Sequence, residues 1–196
     1  CELSYWKHDE IEKFMMRQLP VISKKGRGCI IDMHSGDGKD TPHPQPDLFS
    51  GGSLKTTPTL SIYYAKKYNA DVILCEKNKA CREGLIAEYS NQALIIANNH
   101  RLMTMHEQIS KYPWILVLND PNGYSEQSFA VMKSLSTLVS ISDFIIVFNE
   151  HSMVRNNGNI KNENHHSPQV RGARISAINN QWMLDNNEWK KRLEKK

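Results

Sequence analysis

Cys29-Ile30-Ile31-Asp32-Met33-His34-Ser35-Gly36-Asp37-Gly38 is the stretch that decides the fold of this chain. A short apolar run ends in an acid and then turns through a G-x-G pair. Glycine permits a sharp turn and lets the backbone approach a ligand without an intervening Cβ atom. The pattern is typical of a buried parallel strand leading into a loop beneath a nucleotide-like ligand. Asp32 at the strand end would hold an amine or a hydroxyl group.

Further strand-like and helix-like segments alternate along the chain. The apolar runs predict strands at residues 29–33, 72–75, 93–97, 114–118 and 144–148. Helical spacing predicts helices at about 6–19 (with Pro20 as the stop), 58–68, 80–88, 102–112 and 125–140. This alternation predicts an α/β, Rossmann-like, doubly wound fold with a mostly parallel sheet.

Length and composition predict one domain over residues 1–196, with 39% hydrophobic and 23% charged residues. Within it we expect a loop insertion at 39–57, a polar mobile segment at 151–174 and a basic helix at 181–196. The insertion would be either a lid or a solvated excursion. Residues 170–178 supply at most one strand of a closing antiparallel pair, which predicts a shortened C-terminal hairpin.

Several classes of protein are disfavoured by what the sequence lacks. The four cysteines show no C-x-x-C pair and no paired spacing with histidines, which indicates reduced thiols, a cytoplasmic location and no metal site. No apolar run approaches the ~18 residues of a membrane span. A phosphate-binding G-x-x-x-x-G-K-[ST] loop is also missing. The net charge of +4 permits a polyanionic partner without requiring one.

The polar residues after successive strands indicate the kind of ligand, because such sheets bind ligands at the carboxyl ends of their strands. A dinucleotide site requires G-x-G-x-x-G, yet Thr41 stands at the third glycine position and a Pro-rich loop follows. S-adenosylmethionine instead needs a glycine turn, an acid after the second strand for its ribose, and a polar group after the third strand for its adenine. The residues expected to bind it are Asp32, His34, Gly36, Gly38, Glu76, Asn98, Asn99 and Asn119.

From about residue 5 to residue 150 the chain resembles the class I S-adenosylmethionine-dependent methyltransferases, and most closely the three-Cys-motif partner protein family. The matching segments are Lys7-His8, Asp32…Gly36-x-Gly38, Thr57-Pro58 and Asp120-Pro121-Asn122-Gly123. The resemblance implies the Rossmann-like fold and S-adenosylmethionine as cofactor. It also implies that Lys7 lies near the carboxylate of the cofactor.

Asp120-Pro121-Asn122-Gly123 lies where amino methyltransferases carry [D/N/S]-P-P-[Y/F/W]. The Asp120 side chain and the Pro121 carbonyl would accept the two N–H bonds of an exocyclic amine, which frees its lone pair. Tyr124 would stack on the base. We therefore expect methylation of an exocyclic amine of a DNA or RNA base, with adenine favoured.

An alternative remains open because Asn122 and Gly123 replace the second proline and the aromatic residue. D-P-N-G is also the composition of an ordinary tight turn. The alternative is a catalytically inactive module with a methyltransferase fold, which would bind a ligand or act with a protein partner.

Overall fold

The structure, a computed structural model, describes residues 2–42, 53–121 and 128–147. Apart from Ser128 and Phe129, these residues belong to one compact unit of Cys1–Pro121 and Ala130–Val147. The expected polar segment at 151–174, the basic helix at 181–196 and the shortened hairpin lie outside the described residues, as do residues 43–52 of the expected insertion.

Strands within the described residues form two sheets. In chain order they are β1 (Gly28–Asp32), β2 (Thr41–Pro42), β3 (Ser53–Leu54), β4 (Ala70–Cys75), β5 (Leu94–Ile96), β6 (Trp114–Asn119) and β7 (Ile141–Ile146). Five of them make a parallel sheet in the order β5-β4-β1-β6-β7. The chain moves outward from β1 in one direction and then returns to its other side, which confirms the Rossmann-like, doubly wound α/β prediction.

The helices connect these strands. They are α1 (Glu2–Ile22), α2 (Thr57–Tyr68), α3 (Lys79–Tyr89), α4 (His106–Ile109) and α5 (Phe129–Leu138), with 3₁₀ turns at Ser23–Lys25 and Asn99–Thr104. The prediction of one helix at 102–112 is wrong, because the chain makes a 3₁₀ turn there followed by the single turn of α4. The expected insertion contains the antiparallel pair β2 and β3 rather than loop alone.

Pro20 does not end α1, contrary to the sequence prediction, since the helix continues to Ile22. Proline removes one backbone hydrogen bond and crowds the preceding turn. Leu19 and Ile22 are nevertheless both buried in the core. Their packing explains why the last turn persists in spite of the proline.

Trp114 anchors the core at the start of β6. Its side chain is fully buried, and its indole N–H donates to the Gly26 carbonyl at 2.7 Å. A Cβ atom built on Gly28 would overlap the Trp114 ring, so only glycine fits at this position of β1. The neighbouring strands β1 and β6 are buried along their whole length.

The amino ends of β1 and β4 are joined by a polar cluster on Asp71. Arg27 donates to both carboxylate oxygens, at 2.6 and 3.2 Å, and the Tyr112 hydroxyl donates at 2.8 Å. Partial burial disfavours the ionised form, but these donors outweigh it and lower the pKa of Asp71. The polar groups at the amino ends of these two strands are therefore satisfied by one another.

Among the described helices, none has the length and apolar character that a membrane crossing requires.

Candidate functional site at the carboxyl edge of the sheet

The turn after β1 is held between the two strands that flank β1. The Met33 N–H donates to the Leu118 carbonyl at 2.9 Å, and the Ser35 N–H donates to the Cys75 carbonyl at 3.0 Å. These bonds continue the sheet beyond Asp32 on both sides. The turn is therefore fixed at the point where the chain order of the strands reverses, which is where open α/β sheets bind their ligands.

Asp32 is the buried acid of this turn. Its side chain is 0% exposed, and Oδ1 accepts the His34 N–H at 3.1 Å. Oδ2 is buried and has no hydrogen-bond partner in the described part of the chain. An unmatched buried carboxylate oxygen is costly. Burial accordingly raises the pKa of Asp32 to about 6, although the Thr57 hydroxyl and the His34 N–H favour its ionised form.

Asp32→Asn is expected to stabilise the fold at neutral pH. The folded pKa of about 6 exceeds the ordinary value near 3.9. Asp32 therefore favours folding fully below about pH 4 and loses that contribution as the pH rises through 6. The difference corresponds to about 3 kcal/mol, and asparagine keeps an acceptor for the His34 N–H. Guanidinium unfolding from pH 4 to 8 tests this, and an unchanged pH profile in the variant would contradict the assignment.

The two glycines of the turn differ in their surroundings. Gly36 has φ +64°, and a Cβ atom built on it meets nothing within 4 Å. Gly38 has φ +70°, but its Cβ atom would lie 2.7 Å from Leu85 and 2.9 Å from Tyr89, both on α3. Gly36 therefore borders open space, where a ligand can approach the backbone. The positive φ and the packing against α3 account for glycine at Gly38, for which the sequence predicts a role in cofactor binding.

Glu76 connects the end of β4 to this turn. Its Oε2 accepts the Gly36 N–H at 2.8 Å, and its Oε1 accepts the Asn78 N–H at 2.6 Å. The Asn78 side chain in turn caps α3 by accepting from Ala80 and Cys81. Each carboxylate oxygen has a further lone pair for a ligand hydroxyl. The ribose-binding role remains a prediction, and the link to Gly36 is a role that the sequence did not indicate.

The two asparagines after β5 occupy different environments. Asn98 is exposed, and its side chain accepts the Arg101 N–H at 3.2 Å as the cap of the 3₁₀ turn. Asn99 is 8% exposed, and its Nδ2 lies 3.4 Å from His34 Nε2. Asn99 is therefore the asparagine that the structure brings to the β1 turn, together with His34. Because the Asn98 side chain caps the 3₁₀ turn, it does not take part in the contact with His34.

The end of β6 brings Asp120 together with the first helix. Asp120 Oδ2 lies 2.6 Å from the Lys7 ammonium, and the two side chains are 10% and 30% exposed. Asn119 is fully buried beside them, and the Pro121 side chain is buried. Tyr124 lies outside the described residues. The resemblance had placed Lys7 near the cofactor carboxylate, whereas its ammonium pairs with the predicted catalytic acid.

His8 adjoins this ion pair. Burial and the Lys7 charge lower the pKa of His8, which keeps the imidazole neutral at physiological pH. Its Nδ1 is buried and lacks a hydrogen-bond partner among the residues described. In the sequence, His8 is notable only as the second residue of the Lys7-His8 segment.

Asp40 fixes the exit of the glycine turn, a role that sequence reasoning missed. Its Oδ1 accepts the Thr56 N–H at 2.9 Å and the Thr59 hydroxyl at 2.8 Å. The Tyr89 hydroxyl donates to the Gly38 carbonyl at 3.2 Å. The start of α2 and the end of α3 are thus tied to the turn. Thr56 is the residue that precedes the helix, which begins at Thr57, one residue before the predicted start at 58.

Comparison with known proteins bears on the fold. No family model and no curated protein matches the sequence. Among solved structures, the fold is similar to the crystal structure of protein LPL1258 from Legionella pneumophila str. Philadelphia 1, family-model DUF519. The TM-score is 0.51 with 14% sequence identity, over 76% of this chain and 71% of that chain. At this identity the likeness shows the α/β fold alone.

Proposed function

We propose that the chain is an S-adenosylmethionine-dependent methyltransferase that acts on an exocyclic amine of a nucleic-acid base, with adenine favoured. One observation carries the proposal. Three adjacent parallel strands, β4, β1 and β6, end in or just before the acids Glu76, Asp32 and Asp120. The open space at Gly36 lies at the same edge. This arrangement suits a ligand with an amine, ribose hydroxyls and a transferable group.

The described residues fit the cofactor. S-adenosylmethionine would supply a methyl group on a positively charged sulfur. Asp32 would hold its amino acid end, since Oδ2 is buried without a partner among the described residues and Gly36 leaves room above the turn. Glu76 would accept hydrogen bonds from the ribose hydroxyls with its remaining lone pairs. Asn99 would contact the adenine.

The acceptor amine would bind at Asp120. Its two N–H groups would donate to the Asp120 carboxylate and the Pro121 carbonyl, which favours a pyramidal nitrogen with a free lone pair. Lys7 would orient the carboxylate through the 2.6 Å ion pair. Lys7 therefore acts as a positioning residue rather than as a group that contacts the reacting atoms.

A second function is favoured by the same ion pair. The Lys7 ammonium pairs with Asp120, and the sequence after Pro121 lacks the second proline and the aromatic residue of amino methyltransferases. Both features suit a module that keeps the fold and binds the cofactor without transferring its methyl group. Cofactor binding together with failure to label any nucleic acid would favour this alternative.

Calorimetric titration tests the cofactor, with S-adenosylmethionine and S-adenosylhomocysteine as ligands and NAD as the control. We expect the first two to bind with micromolar affinity and NAD not to bind. Gly36→Ala should lower both affinities at least tenfold, because its Cβ atom enters the open space. The left-handed backbone at Gly36 costs alanine only about 1–2 kcal/mol of folding stability.

Gly38→Ala is the matched control for that titration. Its backbone strain is similar, but its Cβ atom meets Leu85 and Tyr89 rather than open space. We expect a greater loss of stability, by about 1–3 kcal/mol for the overpacking, and a smaller loss of affinity in the protein that remains folded. Absence of binding by the unsubstituted chain would exclude the proposed cofactor. Equal affinity losses in the two variants would contradict the separate roles of the glycines.

A further inference from the structure

Helix α2 presents a tyrosine and two lysines on its solvent-facing side. The Tyr63 ring is 49% exposed, and Lys66 and Lys67 are exposed in the last turn. Lys55, just before the helix, places its ammonium 4.8 Å from the centroid of the Tyr63 ring. Lys66 and Lys67 are three and four positions after Tyr63 along the helix, so they share its face, and Lys55 joins them through its contact with the Tyr63 ring. We call Lys55, Tyr63, Lys66 and Lys67 the α2 outer face.

The positive charges of this face lack anionic partners in the described part of the chain. None of its lysines takes part in the ion pairs found there. Lys67 instead lies 5.4 Å from the ring centroid of Tyr68. The helix dipole favours cations at Lys66 and Lys67. The dipole has no bearing on the Tyr63 ring, which is half-exposed beneath the Lys55 ammonium.

The face lies on the helix that begins at the candidate site. Thr56 and Thr59, at the start of α2, bond to Asp40, and the Thr56 hydroxyl also donates to the Gly38 carbonyl at 3.1 Å. Lys55 directly precedes them. A polymer held along α2 would therefore extend from the exit of the glycine turn.

We infer that the α2 outer face binds a single-stranded segment of nucleic acid. The lysine ammonium groups pair with phosphates, and the Tyr63 ring stacks on an unpaired base. This combination of stacking and backbone charge is how proteins hold single strands without reading their sequence. The inference rests on the proposed function, because it supplies the contact that a nucleic-acid acceptor needs outside the reacting base.

Fluorescence anisotropy of the full chain tests the inference with a labelled 12-nucleotide RNA, DNA of the same sequence and the corresponding duplex. We expect both single strands to bind more tightly than the duplex. Tyr63→Ala should weaken binding about 5-fold to 150-fold, the effect of losing one stacked base, whereas Tyr63→Phe should retain affinity. Lys66→Glu with Lys67→Glu should flatten the salt dependence by a log–log slope of about 1.4.

Lys111→Glu with Lys133→Glu is the control of equal charge change. Both lysines are exposed, and they lie before β6 and on α5. This variant should lose less than threefold in affinity. Equal losses in the two double variants would overturn the inference, since binding would then follow net charge alone. Binding of no probe, or equal binding of duplex and single strand, would overturn it too.

A titration with the cofactor product distinguishes failure of this inference from failure of the proposed function. Titration of the α2 variants with S-adenosylhomocysteine should give the affinity of the unsubstituted chain, because the α2 outer face does not include the cofactor residues. If the cofactor fails to bind while Tyr63→Ala still weakens RNA binding, the proposed function fails and the surface stands. If the cofactor binds and the α2 variants bind RNA normally, only the inference about the α2 outer face is excluded.

Discussion

Asp120→Ala is expected to abolish methyl transfer, with a loss of at least about a hundredfold, while S-adenosylhomocysteine affinity stays within a few-fold. The Asp120 carboxylate is the only side-chain acceptor that the proposed mechanism offers the amine. Alanine removes that acceptor and leaves Lys7 without the partner that lay 2.6 Å away. Cofactor affinity should survive, because Asp32, Gly36 and Glu76 belong to β1, its turn and the end of β4.

The measurement is transfer of labelled methyl from S-adenosylmethionine to total RNA and genomic DNA, followed by digestion and identification of the modified nucleoside. Asp120→Asn is the informative companion. It keeps one acceptor oxygen but loses the charge that pairs with Lys7, so we expect activity between those of the alanine variant and the unsubstituted chain. Turnover by the alanine variant at the unsubstituted rate would remove Asp120 from the mechanism.

Gly28→Ala is expected to destabilise the fold by about 3 kcal/mol or more, which is severe for a domain whose total stability is of order 5–15 kcal/mol. The added Cβ atom would overlap the Trp114 ring. That ring is fully buried and bonded to the Gly26 carbonyl, so it has no direction in which to move. Strands β1 and β6 would have to separate at the centre of the sheet.

Guanidinium unfolding measures this loss, and Gly84→Ala is the matched control. Gly84 lies within α3, where its Cβ atom would only touch the Asp37 carbonyl at 3.7 Å, so alanine should leave stability unchanged or increase it slightly. Trp114→Leu removes the clashing ring and by itself lowers the free energy of unfolding. In the Trp114→Leu background, Gly28→Ala should lower that free energy far less than it does in the unsubstituted chain. Strictly additive losses would show that the two residues do not collide.

The sequence predicts the sheet well because each parallel strand is a short run of apolar residues that are neighbours in the chain. The order of acid, glycine and amide at the strand ends also predicts which residues gather at the carboxyl edge. Asp32 and Gly36 follow from a single stretch of ten residues. Local pattern is sufficient there because β1 and its turn are contiguous in the chain.

The remaining features depend on contacts between distant segments. The pairing of Lys7 with Asp120 joins the first helix to the fourth parallel strand, and nothing in the spacing of either residue encodes it. Gly38 could not be distinguished from Gly36 because the difference lies in Leu85 and Tyr89 of α3. Asn98 is the exception. Its position before a turn is typical of a capping residue, and that signal was available in the sequence.

The bond between Glu76 and the Gly36 N–H holds the glycine turn with a side chain of the protein itself. A ligand at this edge would not have to order the turn, and the entropy that such ordering consumes would not reduce its affinity. The same carboxylate also receives the Asn78 N–H at the start of α3. If Glu76 also binds the ligand as proposed, one side chain couples folding to recognition, and a substitution there would change both together.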